Sequence, residues 1–343
     1  MTQIDFTESG NSFDGRENCA IDALLSDESD DDEKGKVADE IKDEICHAPL
    51  LSAGVISEAN HSVVPQYGLF GSYDKDKLFL NTNVPFLAFI CGVQGSGKSH
   101  TTACILENAL IPSPQLGRLK KPLSALVFSY GQFGGDGISF SVSEAAFLAA
   151  PHFKFPNHPH VNKVHVLVAP SNYARISRLY SRLPNVLVSQ FKLKPSKLDI
   201  DTMLTLMNAA ESDDTPLYMA AVTRILRDMA TGGGAFNYFG FKGRLKQCKF
   251  NPAQENMLQM RLELLESFLD LDDSCPSPEY KEGEVTIMDM SCPFVDANTA
   301  CILFRIGLQR YLQSGAAGKL IVFDEAHKVC TIYFDVCHAN FCI

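Results

Sequence analysis

The segment Gly92-Val93-Gln94-Gly95-Ser96-Gly97-Lys98-Ser99 constrains this chain more than any other, because it has the full spacing G-x-x-x-x-G-K-[ST] of a phosphate-binding loop. Glycines let the backbone turn so that successive N–H groups face phosphate oxygens where side chains would obstruct. Upstream, Phe86-Leu87-Ala88-Phe89-Ile90-Cys91 is a continuous apolar run, which predicts a strand buried on both faces. Downstream, Thr101 to Leu110 predicts a helix whose N-terminal dipole points at the same anion. Strand, glycine-rich loop and helix in this order predict an α/β domain. In it the loop from Gly92 through Gln94, Gly95, Ser96, Gly97 and Lys98 to Ser99 and His100 cradles a nucleotide. Lys98 reaches the β- and γ-phosphates and the Ser99 hydroxyl is a ligand for Mg²⁺.

A loop of this kind calls for a partner motif. Near the far end stands Lys319-Leu320-Ile321-Val322-Phe323-Asp324-Glu325-Ala326-His327, an apolar run that ends in two carboxylates. It predicts a buried strand delivering Asp324 and Glu325 to its C-terminal edge, where open α/β sheets bind ligands. Asp324 is expected to hold Mg²⁺, mainly through a bound water, and Glu325 to orient and polarise the attacking water. A third element, Glu284 to Ser291, predicts a strand, followed by a helix from about Asp296 to Gln313.

On these residues the chain resembles the P-loop NTPases whose catalytic glutamate follows the Mg²⁺-binding aspartate. Within them it is most similar to the HerA/FtsK-type ATPases, a group of DNA-pumping motors. The resemblance covers roughly residues 78–328, and only its two nucleotide motifs are sharp. It implies a RecA-like, mostly parallel sheet flanked by helices, ATP as the nucleotide, DNA as a partner and a homo-oligomeric ring. It also implies an arginine supplied by a neighbouring subunit, for which Arg305 and Arg310 are candidates. Asp-Glu-Ala-His is shared with DEAH-box helicases. However, the 226 residues between Lys98 and Asp324 are about twice the separation those enzymes use, and no second RecA-like domain is in view. His327 is either a helix-start residue or a γ-phosphate sensor.

The formal charge of −11 is concentrated at one end: residues 1–60 hold sixteen acidic against four basic side chains, which leaves the remainder close to neutral. The run Ser26-Asp27-Glu28-Ser29-Asp30-Asp31-Asp32-Glu33 has too few apolar groups to offset the entropy of ordering it, so residues 1–60 are expected to be a disordered acidic tail. Ser26 and Ser29 are candidates for an acid-directed kinase. Eleven cysteines scattered singly do not suggest a disulfide framework. No run approaches the roughly 20 apolar residues of a membrane helix, and the start Met-Thr-Gln-Ile-Asp lacks the pattern of a signal peptide. The expectation is a cytoplasmic or nuclear protein with no membrane contact.

Residues 61–328 are expected to form the ATPase domain. Leu123 to Tyr130 and Lys163 to Ala169 predict strands, and Gly131 to Gly137 a flexible loop near the nucleotide. Residues 170–283 predict a mostly helical insertion. Its helices are expected over Tyr173–Arg182, Asp201–Asn208, Leu217–Met229 and Asn256–Leu269, the last with a core stripe of Met257, Met260, Leu264, Leu265 and Phe268. The segment Phe239 to Lys249 carries four positive charges among aromatics and glycines. It reads either as a solvated face or as a phosphate contact for nucleic acid, and Lys192, Lys194 and Lys197 are weaker candidates of the same kind.

The end, residues 329–343, fits the family pattern poorly. At most six residues separate Glu325 from the strand-like Thr331 to Val336, whereas a parallel return needs a dozen or so. The sensor strand that would lie between the acidic strand and the P-loop strand is therefore expected to be missing. Val329-Cys330 can be encoded by GTATGT, a common 5′ intron boundary, so 329–343 reads as an aberrant or truncated tail. The expected activity is hydrolysis of Mg·ATP by Lys98, Ser99, Asp324 and Glu325. Two alternatives remain: a nucleotide-binding switch or scaffold with little turnover, and an interaction protein that works through its acidic tail.

Overall fold

The computed structural model describes residues 41–58, 62–131, 142–151, 155, 157–207, 218–232 and 236–326. The acidic run around Ser26 and Ser29, much of the Gly131–Gly137 loop, His327 and the tail 329–343 lie outside the described residues. The chain divides into two compact units, one reaching Ala88 and including Leu116–Lys120, the other comprising Phe89–Gln115 and the chain from Lys121. The domain expected over 61–328 spans both.

The first unit is built on a four-stranded sheet with the order β1-β3-β2-β4: β1 Leu50–Ser52, β2 Tyr67–Tyr73, β3 Asp76–Asn81 and β4 Gly117–Arg118, all paired antiparallel. Asp74 and Lys75 join β2 to β3 with φ of 44° and 75°, the positive values a two-residue hairpin turn requires. Leu51 and Leu80 are buried where β1 and β3 pack against a short helix α1 (Ala53–Glu58), and residues 41–47 are also helical. The buried Asn81 amide donates to the carbonyls of Cys46 and Ala48. Ordered structure therefore begins by residue 41, inside the segment 1–60 expected to be disordered. The sequence reading stopped too late because the acidic run gives way to apolar residues before position 60.

The second unit holds a five-stranded sheet of order β7-β6-β8-β5-β9, parallel throughout. Its strands are β5 Ser124–Ser129, β6 Val164–Val168, β7 Val186–Gln190, β8 Val285–Asp289 and β9 Lys319–Phe323. Parallel sheets must be covered on both faces, and alternate residues here feed two separate cores. Ala125, Val127, Val166 and Ile287 pack beneath helix α2 (Lys98–Leu110), helix α3 (Tyr173–Tyr180) and a 3-10 helix over Glu144–Ala149. On the other face Leu126, Phe128, Leu167 and Met288 meet the helices α4 (Ile200–Met207), α5 (Tyr218–Thr231), α6 (Tyr238–Leu245), α7 (Pro252–Ser267) and α8 (Ala297–Leu312). Phe128 stacks on Phe323 at 4.9 Å and tilts against Phe304 at 4.8 Å, locking β5, β9 and α8 together. Tyr311 of α8 donates to the Ser124 carbonyl at 2.7 Å, and burial pushes its phenol up to about 12.

Three expectations need correction. Phe86–Cys91 is not a buried strand. It pairs with no strand among the described residues, and Leu87 and Phe89 are 94% and 88% exposed. An apolar run becomes a strand only where a neighbour pairs with its N–H and C=O groups, and β9 too pairs on one side only among the described residues, with β5. The span 170–283 is not purely an insertion, since β7 lies within it and forms an edge of the parallel sheet. Along α7 the buried stripe is Leu258, Leu262 and Leu265, followed by Phe268, while Met257 and Met260 are exposed.

His165 of β6 lies 2.6 Å from Ser189 Oγ of β7, and burial, aided by the charge of Lys163, pulls its imidazole down to about 4. The unfolded chain takes up that proton near pH 6.5 whereas the folded chain stays neutral, so this contribution is complete above pH 6.5 and declines as pH falls toward 4. Thermal melts of the variant His165→Gln should show a shallower fall of Tm between those pH values than the parent. An equal slope contradicts the assignment.

Candidate functional site: the C-terminal edge of the parallel sheet

All five strands of the second sheet run in one direction, so their carboxyl ends share one edge. The glycine-rich loop feeds α2, whose N-cap Gly97 has φ 89°, and Gly95 has φ 81°. These left-handed values cost a side chain about 1–2 kcal/mol and suit glycine. Gly92 is closely approached instead: a Cβ there would stand 2.4 Å from Ser96 Oγ and 3.1 Å from Ser96 Cβ, so the Ser96 side chain would have to shift. The Ser96 N–H donates to the Val93 carbonyl at 3.2 Å, closing the turn. Lys98 Nζ donates to the carbonyls of Gly92 and Val93 at 3.0 and 3.1 Å, which holds its charge against the start of the loop. The first turn of α2 has no acidic residue, so nothing there opposes an anion.

Ser99 and Thr102 of α2, Ser143 and Glu144 at the start of the 3-10 helix, and Val322 and Asp324 at the end of β9 line one small cleft. The first turn of the loop-bearing helix and the expected metal-binding aspartate therefore face the same space. The Asp324 N–H donates to the Phe128 carbonyl at 2.9 Å, prolonging the β5–β9 ladder by one bond. Glu325 has φ 53°, an uncommon left-handed backbone for this residue type, and it turns the chain sharply after the aspartate. Glu325 is not part of the cleft lining.

The sequence reading missed a second carboxylate on this edge. Asp289 ends the central strand β8 and is buried, accepting from the Ser291 N–H at 3.0 Å and from Tyr180 Oη at 3.1 Å. Burial pushes its carboxyl above the usual range and the charge of Asp324 adds to this, while the bonds from Ser291 and Tyr180 oppose it. Its signal was in the sequence, since β8 and β9 are both apolar runs that end in aspartate. Tyr180 and Ser143 carried no such pattern.

Ser99 and Asp324 are hard oxygen donors of the kind Mg²⁺ takes, and that ion keeps several waters and needs only one or two protein ligands. No cluster of three metal-ligating side chains is present among the described residues. Elsewhere, Arg305 lies 3.6 Å from Asp201, and burial lowers the affinity of the Arg310 guanidinium for its proton; neither lines the cleft. The basic segment Phe239–Lys249 begins as helix α6, with Phe241 and Leu245 buried. Lys242 is paired to Glu266, which leaves Arg244, Lys246 and Lys249 as the exposed cations. Lys194 is paired with Asp273, and Lys192 donates to the Leu269 carbonyl. No described helix is long and apolar enough to cross a membrane.

Comparison of the chain with family models, with curated proteins and with solved structures found no match.

Replacing Gly97 by alanine places a Cβ on a left-handed residue at the start of α2. Urea unfolding should show a loss of about 1 kcal/mol or more. An unchanged midpoint contradicts the backbone assignment.

Proposed function

We propose that the chain is a Mg²⁺-dependent ATP-binding P-loop ATPase of the HerA/FtsK-like kind. The observation that carries this reading is that Ser99, next to Lys98 on the loop-bearing helix, and Asp324, at the end of a parallel strand, line one cleft at the C-terminal sheet edge. Two motifs 226 residues apart share a site only if both serve one ligand or one structural contact, and their side chains are those that bind a metal triphosphate.

In this reading the N–H groups of the loop and the first turn of α2 bind the phosphates. Lys98 exchanges the Gly92 and Val93 carbonyls for phosphate oxygens. Ser99 and Asp324 hold the ion, which, when bound, screens the charge that develops on the phosphates. Glu325 swings from its turn to position the attacking water and takes up its proton as the bond to the γ-phosphorus forms and the ADP oxygen leaves. The choice of ATP, a DNA partner and a ring of subunits all rest on the resemblance to the HerA/FtsK group; the exposed Arg244, Lys246 and Lys249 are the residues here that would meet a polyanion.

A second reading, a nucleotide-binding switch with little turnover, is favoured by one observation. The run Phe86–Cys91 leading into the loop is unpaired among the described residues, so the loop is not anchored by a sheet strand.

Both readings are tested on purified protein by ATP binding and phosphate release, with and without DNA. Lys98→Ala should weaken Mg·ATP binding at least tenfold. Glu325→Gln should bind like the parent but hydrolyse about 100-fold slower or less. Equal hydrolysis in parent and Glu325→Gln contradicts the role of Glu325. Binding without turnover in either protein selects the switch.

A further inference from the structure

Ser143 is the N-cap residue preceding the 3-10 helix Glu144–Ala149 and is 5% exposed. Its N–H donates to Tyr180 Oη at 3.1 Å, and that hydroxyl donates in turn to Asp289 Oδ2 at 3.1 Å. The backbone of Ser143 is thus tied through Tyr180 to the end of the central strand β8. Its own hydroxyl is treated differently: Ser143 Oγ is buried and has no hydrogen-bond partner among the described residues. A buried hydroxyl left unsatisfied is costly, and an alanine here would avoid that cost. The residue lines the same cleft as Ser99 and Asp324. A buried polar atom with an unmet bond, on a backbone held from behind and at a residue that lines the cleft together with Ser99 and Asp324, is a candidate partner for a polar ligand bound there.

We propose that Ser143 is a further binding residue of the nucleotide site, its hydroxyl hydrogen-bonding to the water shell of the Mg²⁺ carried in with ATP. This rests on the nucleotide reading above. The strut from Asp289 through Tyr180 sets the position of Ser143, so the end of β8 supports the site without touching the ligand. The neighbouring Glu144, on the same cleft and exposed, adds negative charge that favours the cation.

The test is calorimetric titration of the full chain with ATP, once in Mg²⁺ and once in EDTA, on the parent, Ser143→Ala and Lys98→Ala, with thermal melts of each protein free of nucleotide. Ser143→Ala should lose about tenfold of the affinity gained on adding Mg²⁺, keep its affinity in EDTA, and melt no lower than the parent, since it removes an unsatisfied hydroxyl. Three results overturn the inference: parent-like Mg·ATP affinity in Ser143→Ala while Lys98→Ala is weakened, an equal loss in Mg²⁺ and EDTA, or a lowered melting temperature in the free protein. The first of these leaves the nucleotide reading standing. A parent that binds no ATP in either buffer removes both.

Discussion

The parallel register of β7, β6, β8, β5 and β9 is the constraint on which the rest of the second unit depends. Because each strand runs the same way, every connection must cross a face of the sheet, and helices cover both. The alternation of side chains then decides the two cores: Val127 and Ile287 go to one face, Phe128 and Met288 to the other. The same register collects the strand ends at one edge. Asp289 and Asp324 reach that edge from strands separated only by β5, and α2 delivers Ser99 there from the opposite side of the loop. The site is thus a consequence of strand direction, with the polar residues placed where the apolar runs stop.

Electrostatics at this edge are set by how far each carboxylate is taken from water. Asp289 is wholly enclosed, and its three neighbours Ser291, Tyr180 and Asp324 pull its protonation in opposing directions. Tyr180 is buried as well, and its phenol is held well above its usual range. The pair gives the edge a rigid polar brace. Lys98 is held on the Gly92 and Val93 carbonyls at the start of the loop.

Much of this architecture is legible in the residues. The runs that form β5, β6, β8 and β9 are short, apolar and closed by turn or acidic residues, and α8 follows an N-cap aspartate, Asp296, whose side chain accepts from the Thr299 N–H. Lys98 and Ser99 stand out because their motif has a fixed spacing, and Asp324 because it closes an apolar run. Other elements were hidden for identifiable reasons. Strand β7 is only five residues long and enters after Asn185, whose φ is 56°, so it reads as a pause between helices. The β2–β3 hairpin turns on Asp74-Lys75, a pair without the usual glycine. Phe86–Cys91 has the composition of a strand but lacks a neighbour to pair with among the described residues. Of the stripe expected on α7, Leu265 and Phe268 are buried but Met257 and Met260 are exposed; the methionines share a helical period with Leu264, whereas the buried face runs through Leu258, Leu262 and Leu265. Ser143 and Tyr180 are joined to Asp289 by contacts between distant segments, which no local pattern encodes.

The central claim is that Lys98 and Asp324 serve one ligand, and a double-mutant cycle measures it most directly. Mg·ATP affinity is determined for the parent, Lys98→Ala, Asp324→Asn and the double variant. A shared triphosphate predicts a coupling of about 1 kcal/mol or more between the two substitutions. Losses that simply add, within about 0.3 kcal/mol, would mean that the two side chains act on nothing in common.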